Sequence, residues 1–60
     1  MRLDGRLLVT GDGIGIEFDD ETIWFLELKG RSQPWIGQRV RVRGVQTAFD
    51  RVTVETIEPA

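Results

Sequence analysis

The segment QRVRVRG at residues 38–44 alternates between arginine and valine and is the clearest structural signal in the chain. In an extended strand successive side chains point to opposite faces, so this period of two predicts a half-buried β-strand. Val40 and Val42 are expected to face the core. The opposite, exposed face would carry the three arginines Arg39, Arg41 and Arg43.

Four other segments have the alternation and the β-forming residues of short strands. Together with residues 38–46 they predict five strands, the others covering Leu3–Thr10, Ile14–Phe18, Thr22–Lys29 and Asp50–Ile57. The third strand is ambiguous, because the sets Trp24/Leu26/Leu28 and Ile23/Phe25 are both apolar and either could face inward.

The one break with helix-capping residues lies at residues 30–37. Ser32 can cap a short turn, Pro34 lies near its start and Gly37 can end it, which predicts a single 3₁₀-like turn. Trp35 and Ile36 would then close one end of the core. Five strands with this break between strands three and four favour an OB-like, partly open barrel over an SH3-like barrel, whose short turn precedes the last strand.

Three spaced patterns resemble the short OB-fold domains of bacteria. The patterns are Leu3-x-Gly5-x-Leu7, Ile36-Gly37-x-x-Val40-x-Val42-x-Gly44 and Val52-x-Val54-x-x-Ile57. They are similar to the tRNA anticodon-binding type of OB-fold and to small bacterial OB-like families without an assigned function. The resemblance implies an OB-like barrel over nearly the whole chain, and it implies fold more than activity.

Length and composition limit the function further. Sixty residues predict one domain, 1–60, which must be stable without disulfides or a histidine- and cysteine-ligated zinc ion, because the sequence has neither residue. Self-association would add stability, so a homodimer is one expectation. No segment has the length and hydropathy of a signal peptide or a membrane-spanning helix, and we expect a soluble, cytoplasmic protein that does not bind membranes.

The formal net charge of −2 conceals an uneven distribution. Residues 1–28 contain two arginines against seven acids, whereas residues 29–51 contain six basic residues against Asp50 alone. An acidic chain lacks the overall basic charge of a typical nucleic-acid binder. A local basic face is still compatible with this distribution.

The arginine row has two readings. Arg39, Arg41 and Arg43 could follow the phosphates of a single-stranded nucleic acid across an OB-like face. Alternatively they could pair with carboxylates on neighbouring strands. A tight hairpin centred on Ala48 predicts that Arg41 lies near Glu55 and Arg43 near Thr53.

Aromatic residues supply the second candidate feature. Single-strand binders stack bases on exposed aromatic rings, and Phe25 and Phe49 are the candidates here, with Trp24 in place of Phe25 if the third strand faces the other way. Phe49 is the better indication, because a hairpin connection rarely needs a phenylalanine. The same rings could instead be buried against a protein partner or a second copy of the chain.

Other motifs have simpler explanations. Gly11-Asp12-Gly13-Ile14-Gly15 lacks the spacing and the following helix of a dinucleotide-binding loop, and Asp19-Asp20-Glu21 is too short to enclose a cation, so both predict turns. Without histidine, cysteine or tyrosine we expect no enzyme and no cofactor or metal. Two functions are left: single-stranded nucleic-acid binding through Arg39, Arg41, Arg43, Phe25 and Phe49, or a non-catalytic interaction or dimerisation module.

Overall fold

The computed structural model describes residues 1–29 and 33–60. Alternating apolar residues form five strands there: β1 (Arg2–Thr10), β2 (Gly13–Glu17), β3 (Ile23–Glu27), β4 (Arg39–Ala48) and β5 (Arg51–Pro59). A single 3₁₀ turn, Gln33–Trp35, lies between β3 and β4. The predicted all-β fold with one short helical turn in this position is therefore confirmed.

The strands form one barrel in the order β1-β2-β3-β5-β4, with β4 returning to β1. Neighbouring strands are antiparallel except for β3 and β5, which run parallel. Closure is uneven, because β3 pairs with β5 only from Phe25 to Glu27, whereas β4 and β5 pair along most of their length. The second half of β5 is left with one sheet neighbour among the described strands, so the barrel closes only over a short length at this seam.

Side chains at alternate positions of the strands fill the interior of the barrel. The buried apolar set is Leu3, Leu7, Ile16, Leu26, Val40, Val42, Val52 and Val54. Val40 and Val42 are thus inward, as the alternation in residues 38–44 predicts. Trp35 and Ile36 are half-buried and pack against this core.

The connection from β3 to β4 is fixed by hydrogen bonds beyond residue 33. The backbone N–H of Gln38 donates to the carbonyl of Trp35 (3.0 Å), and the Gln38 side-chain amide donates to the carbonyl of Pro34 (2.9 Å). Gly37 ends the turn with φ +84°, a conformation that favours glycine. The predicted cap Ser32 lies outside the described residues.

Both turn predictions in the first half of the chain are correct. Gly11 and Asp12 form a two-residue connection, and the Thr10 hydroxyl donates to the carbonyl of Gly13 (2.9 Å). The acidic turn at residues 19–21 lies in the connection from β2 to β3. No helix in the described ranges is long and apolar enough to span a membrane.

Candidate functional site

The arginine row of β4 lies beside a second basic row on β1. In the antiparallel register Arg43 is opposite Arg2, Arg41 is opposite Asp4 and Arg39 is opposite Arg6. All of these side chains share the outer face, because their neighbours of opposite parity, such as Val40, are buried. We call the resulting surface the arginine face; its members are Arg2, Arg6, Arg39, Arg41 and Arg43.

Two of the three predicted arginines are paired with carboxylates. Arg41 Nε lies 3.0 Å from Asp4 Oδ1, and Arg41 Nη1 lies 3.9 Å from Glu58 Oε1. Arg39 Nη2 lies 3.0 Å from Asp19 Oδ1. Exposed ion pairs of this kind contribute about 0–1 kcal/mol each, so a competing anion can displace them at small cost.

The partners predicted for Arg41 and Arg43 were wrong. Arg41 is opposite Glu58 and Arg43 is opposite Thr56, rather than Glu55 and Thr53. The hairpin turns at Phe49–Asp50 instead of at Ala48, and the register then shifts twice. The shift between Arg43 and Gly44 leaves Glu55 as an extra residue on β5, which is the geometry of a β-bulge.

Arg6 and Arg43 have a different environment. Among the described residues no carboxylate lies within ion-pair distance of either guanidinium, although Glu17 is the β2 partner of Arg6 in the register. Each is instead opposite another arginine. Like charges directly opposite each other in a sheet are destabilising, and an anion placed between them would relieve that repulsion.

Sequence reasoning missed Arg2 and Arg6. Their spacing with Asp4 gives the alternation of one strand face, which was available from the sequence. What was not available is the closure of the barrel, which places β1 next to β4. Pairing of these two strands extends the basic face from three arginines to five.

The aromatic candidates lie elsewhere on the barrel. Phe25 points outward on β3, where the Arg51 guanidinium carbon lies 5.6 Å from the centre of its ring, in cation–π geometry. Trp24 points inward and meets Phe18 edge to face, with ring centres 6.0 Å apart. The ambiguity of the third strand is thereby resolved, with Phe25 as its outward-facing, half-buried aromatic residue.

Phe49 occupies the tip of the β4–β5 hairpin and is 90% exposed. Two hydrogen bonds hold the tip: the Gln46 side-chain amide donates to the carbonyl of Phe49 (3.2 Å), and the Thr47 hydroxyl donates to that of Arg51 (3.4 Å). The backbone N–H of Phe25 also donates to the carbonyl of Asp50 (2.8 Å). An apolar ring is therefore presented to solvent from a braced turn.

The five predicted site residues do not form one surface. Phe25 is in register with Arg51 at the start of β5, whereas Arg43 is in register with Thr56. These two β5 positions are roughly 16 Å apart at about 3.3 Å per residue. The structure thus groups Arg39, Arg41 and Arg43 on one side and Phe25 and Phe49 near the β3–β5 end.

A groove lies beside the seam where β3 ends and β5 continues. Its volume is about 490 Å³, and its lining combines apolar residues with polar and charged ones: Leu28, Lys29, Val45, Thr53, Val54, Glu55, Thr56 and Ile57. We call it the β5 groove. Leu28, Val54 and Ile57 also belong to or pack against the core, so the floor of the groove is apolar.

The acidic turn of residues 19–21 shows no metal-binding arrangement. Within residues 1–29 and 33–60 no group of carboxylates is placed to hold a metal ion. The Asp20 carboxylate instead accepts a hydrogen bond within the turn, from the backbone N–H of Thr22 to Oδ1 (3.0 Å). This bond, helped by the Thr22 hydroxyl, lowers the pKa of Asp20 below its ordinary value.

Comparison with known proteins gives one family. No curated protein and no solved structure matches the chain significantly. A family model does match, over residues 4–60, which include all five strands except the first residues of β1. The chain therefore belongs to the family described as protein of unknown function (DUF5818).

Proposed function

We propose that this OB-like barrel is a non-catalytic domain whose arginine face binds the phosphates of single-stranded nucleic acid weakly. The observation that carries the proposal is the register of β1 with β4, which sets Arg2 opposite Arg43 and Arg6 opposite Arg39. Anions placed between the members of these like-charge pairs would relieve their repulsion, and phosphate oxygens suit the guanidinium group. The strand order and the turn between β3 and β4 support relating the domain to OB-type barrels, many of which bind oligonucleotides.

The dimensions of the face limit the strength of binding. From Arg2 to Arg6 the face extends roughly 13 Å along β1, at about 3.3 Å per residue. A surface of this length can contact only a few phosphates. For single strands the logarithm of the affinity falls with the logarithm of the salt concentration with a slope of about −0.7 per phosphate contacted, so we expect weak and strongly salt-dependent binding.

The test is a salt-dependent titration that follows the anisotropy of dye-labelled single-stranded DNA and RNA. Labelled oligonucleotides are needed because Trp24 and Trp35 pack against the core and would report poorly on the arginine face. We expect binding at low salt that weakens steeply as salt is added. The double variant Arg6→Gln/Arg43→Gln should reduce the size of the salt slope by about 1 or more, since each lost phosphate contact contributes about 0.7.

A matched control is available on the other side of the barrel. Arg51 lies over Phe25 rather than on the arginine face, so Arg51→Gln and Lys29→Gln together remove the same charge at other positions. That control should leave the salt slope nearly unchanged. Equal losses in both double variants, or no binding by the wild type at low salt, would contradict the proposal.

The contribution of the aromatic residues is tested separately. Phe25→Ala and Phe49→Ser should weaken binding only if the strand extends around the barrel to stack its bases there, with a loss of about 1–3 kcal/mol for each base that stacks. Loss of affinity in these variants with an unchanged salt slope would support the wider site of five predicted residues. Unchanged affinity in both variants would mean that the nucleic acid contacts only the arginine face.

A second candidate function rests on a different observation. Phe49 is 90% exposed on a braced turn, and large aromatic side chains presented in this way are common anchors of protein interfaces. The domain would then be a non-catalytic interaction or dimerisation module. Association through Phe49 should be insensitive to salt, which separates it from phosphate binding by the arginine face.

A further inference from the structure

We propose that two copies of this chain dock reciprocally, with Phe49 of each copy seated in the β5 groove of the other. The inference deepens the second candidate function, on which it rests, by naming the partner. It does not depend on the arginine face, whose arginines take no part in the contact.

The groove suits the side chain that would occupy it. Its floor is formed by Leu28, Val54 and Ile57, and Val45, itself 56% exposed, contributes to the lining. A buried phenylalanine covers about 150–250 Å² of apolar surface, and a groove of about 490 Å³ has room for its ring. The protein therefore carries an exposed apolar projection and a recess that is large enough to hold it, with an apolar floor and with Lys29 and Glu55 also in its lining.

The two features lie on the same hairpin at a spacing that permits two-fold symmetry. Val45 precedes Phe49 by four residues, which is roughly 13 Å along an extended strand. If two hairpins lie side by side in opposite directions, each tip reaches the groove of the other copy. Such a self-complementary arrangement closes on itself and gives a dimer rather than a fibre.

Extension of the sheet from one copy to the next is disfavoured at the same seam. The bulge at Glu55 disturbs the free side of β5, and Pro59 at its end has no N–H to donate. Contact through side chains is therefore favoured over strand addition. A standard interface buries about 800 Å² per partner, roughly a fifth of the 4081 Å² that this chain exposes, and a smaller contact would give a weak dimer.

The experiment uses the absence of cysteine from the sequence. Ala48→Cys places a thiol beside Phe49 at the tip, and Thr56→Cys places one at the groove; both side chains are exposed. The two variants are mixed under mild oxidation. Reciprocal docking predicts that the mixed disulfide between the two variants forms in excess over either like-with-like product.

The controls compare Phe49 at the hairpin tip with Val9, an exposed apolar residue on a different strand. Adding Phe49→Ser to both cysteine variants should abolish the excess, and Phe49→Ser alone should weaken the dimer roughly 10- to 100-fold in sedimentation equilibrium. Val9→Ser removes another exposed side chain, one that does not line the groove, and should change neither result.

The other outcomes are decisive as well. An excess of Ala48→Cys homodimers would mean that the tips pack against each other, which overturns docking in the groove. A wild-type chain that stays monomeric at high concentration, with mixed and like-with-like disulfides in the proportions expected from random collisions, overturns the inference that the partner is a second copy. An interaction through Phe49 would then involve a different protein. A dimer that is insensitive to Phe49→Ser would overturn both the inference and the second candidate function.

Discussion

Glu21 has a backbone conformation that its side chain disfavours. Its φ is +70°, in the left-handed region, where steric contact of the Cβ atom with the backbone costs about 1–2 kcal/mol of conformational free energy. The cause is the tight connection between β2 and β3. Phe18 N–H donates to the carbonyl of Thr22 and so closes a three-residue loop, 19–21, in which Glu21 N–H donates to the carbonyl of Phe18. Loops of this length place their third residue in the left-handed region.

Replacing Glu21 by glycine should therefore stabilise the protein. Glycine adopts positive φ without the steric cost, and we expect a gain of up to about 1 kcal/mol, less the entropy that glycine loses on folding. For a domain of this size such a gain raises the Tm by about 4–8 °C, which thermal unfolding followed by circular dichroism would detect.

Asp12→Gly is the matched control for that substitution. It removes the same charge from an exposed turn, but Asp12 is not in the left-handed region. The control should be neutral or slightly destabilising. If both glycine variants stabilise equally, the gain arises from the charge removed and not from the backbone of Glu21.

At the level of the strands, glycine lets β4 and β5 approach closely. A Cβ atom at Gly44 would overlap the carbonyl oxygen of Thr53 and crowd the side chain of Val52. Gly44 lies next to the register shift between β4 and β5, so the close approach and the bulge occur together.

Gly44→Ala should be strongly destabilising. Overpacking of this kind costs about 1–3 kcal/mol or more, a large part of the net stability of about 3–5 kcal/mol expected for a sixty-residue core. Gly11→Ala is the control, because a Cβ atom there meets no atom within 4 Å. Urea unfolding should show a much lower midpoint for Gly44→Ala than for Gly11→Ala, and similar midpoints would contradict the crowding at Gly44.

The sequence predicted the strands well and the register of the last hairpin poorly. Alternation identifies β4 without ambiguity, because Val40 and Val42 are buried while Arg39, Arg41 and Arg43 are outward. The spacing of Val52, Val54 and Ile57 also contained the missing information: a step of three residues between inward side chains signals one extra residue. Trp24 and Phe25 could not be separated in the same way, since both faces of β3 are apolar and only the assembled barrel selects one.

On the scale of the whole molecule, barrel closure creates the candidate site. Residues 1–28 are acidic as a segment, yet β1 contributes Arg2 and Arg6 to the same face as the arginines of β4. The net charge of a sequence segment therefore does not predict the charge of a surface, because strands that are far apart in the sequence become neighbours in the barrel. The same closure brings Asp4 to Arg41, so intramolecular pairs and an external anion would compete for the same guanidinium groups.

This competition predicts opposite effects of one substitution on stability and on binding. Asp4 is the acid nearest Arg41, at 3.0 Å, and it also lies 3.7 Å from Arg2. Asp4→Asn should cost no more than about 1 kcal/mol of stability, since both pairs are exposed. It should also tighten binding of single-stranded DNA at low salt, because Arg41 no longer has to exchange Asp4 for a phosphate.

Asp12→Asn separates this local effect from net charge. It changes the total charge equally at the β1–β2 turn, away from the arginine face, and should alter affinity much less. Fluorescence anisotropy measures the affinities, and thermal unfolding measures the cost of each change. If both variants tighten binding equally, the nucleic acid responds to overall charge alone. If Asp4→Asn lowers stability without tightening binding, the arginines of this face serve the sheet and the ligand binds elsewhere.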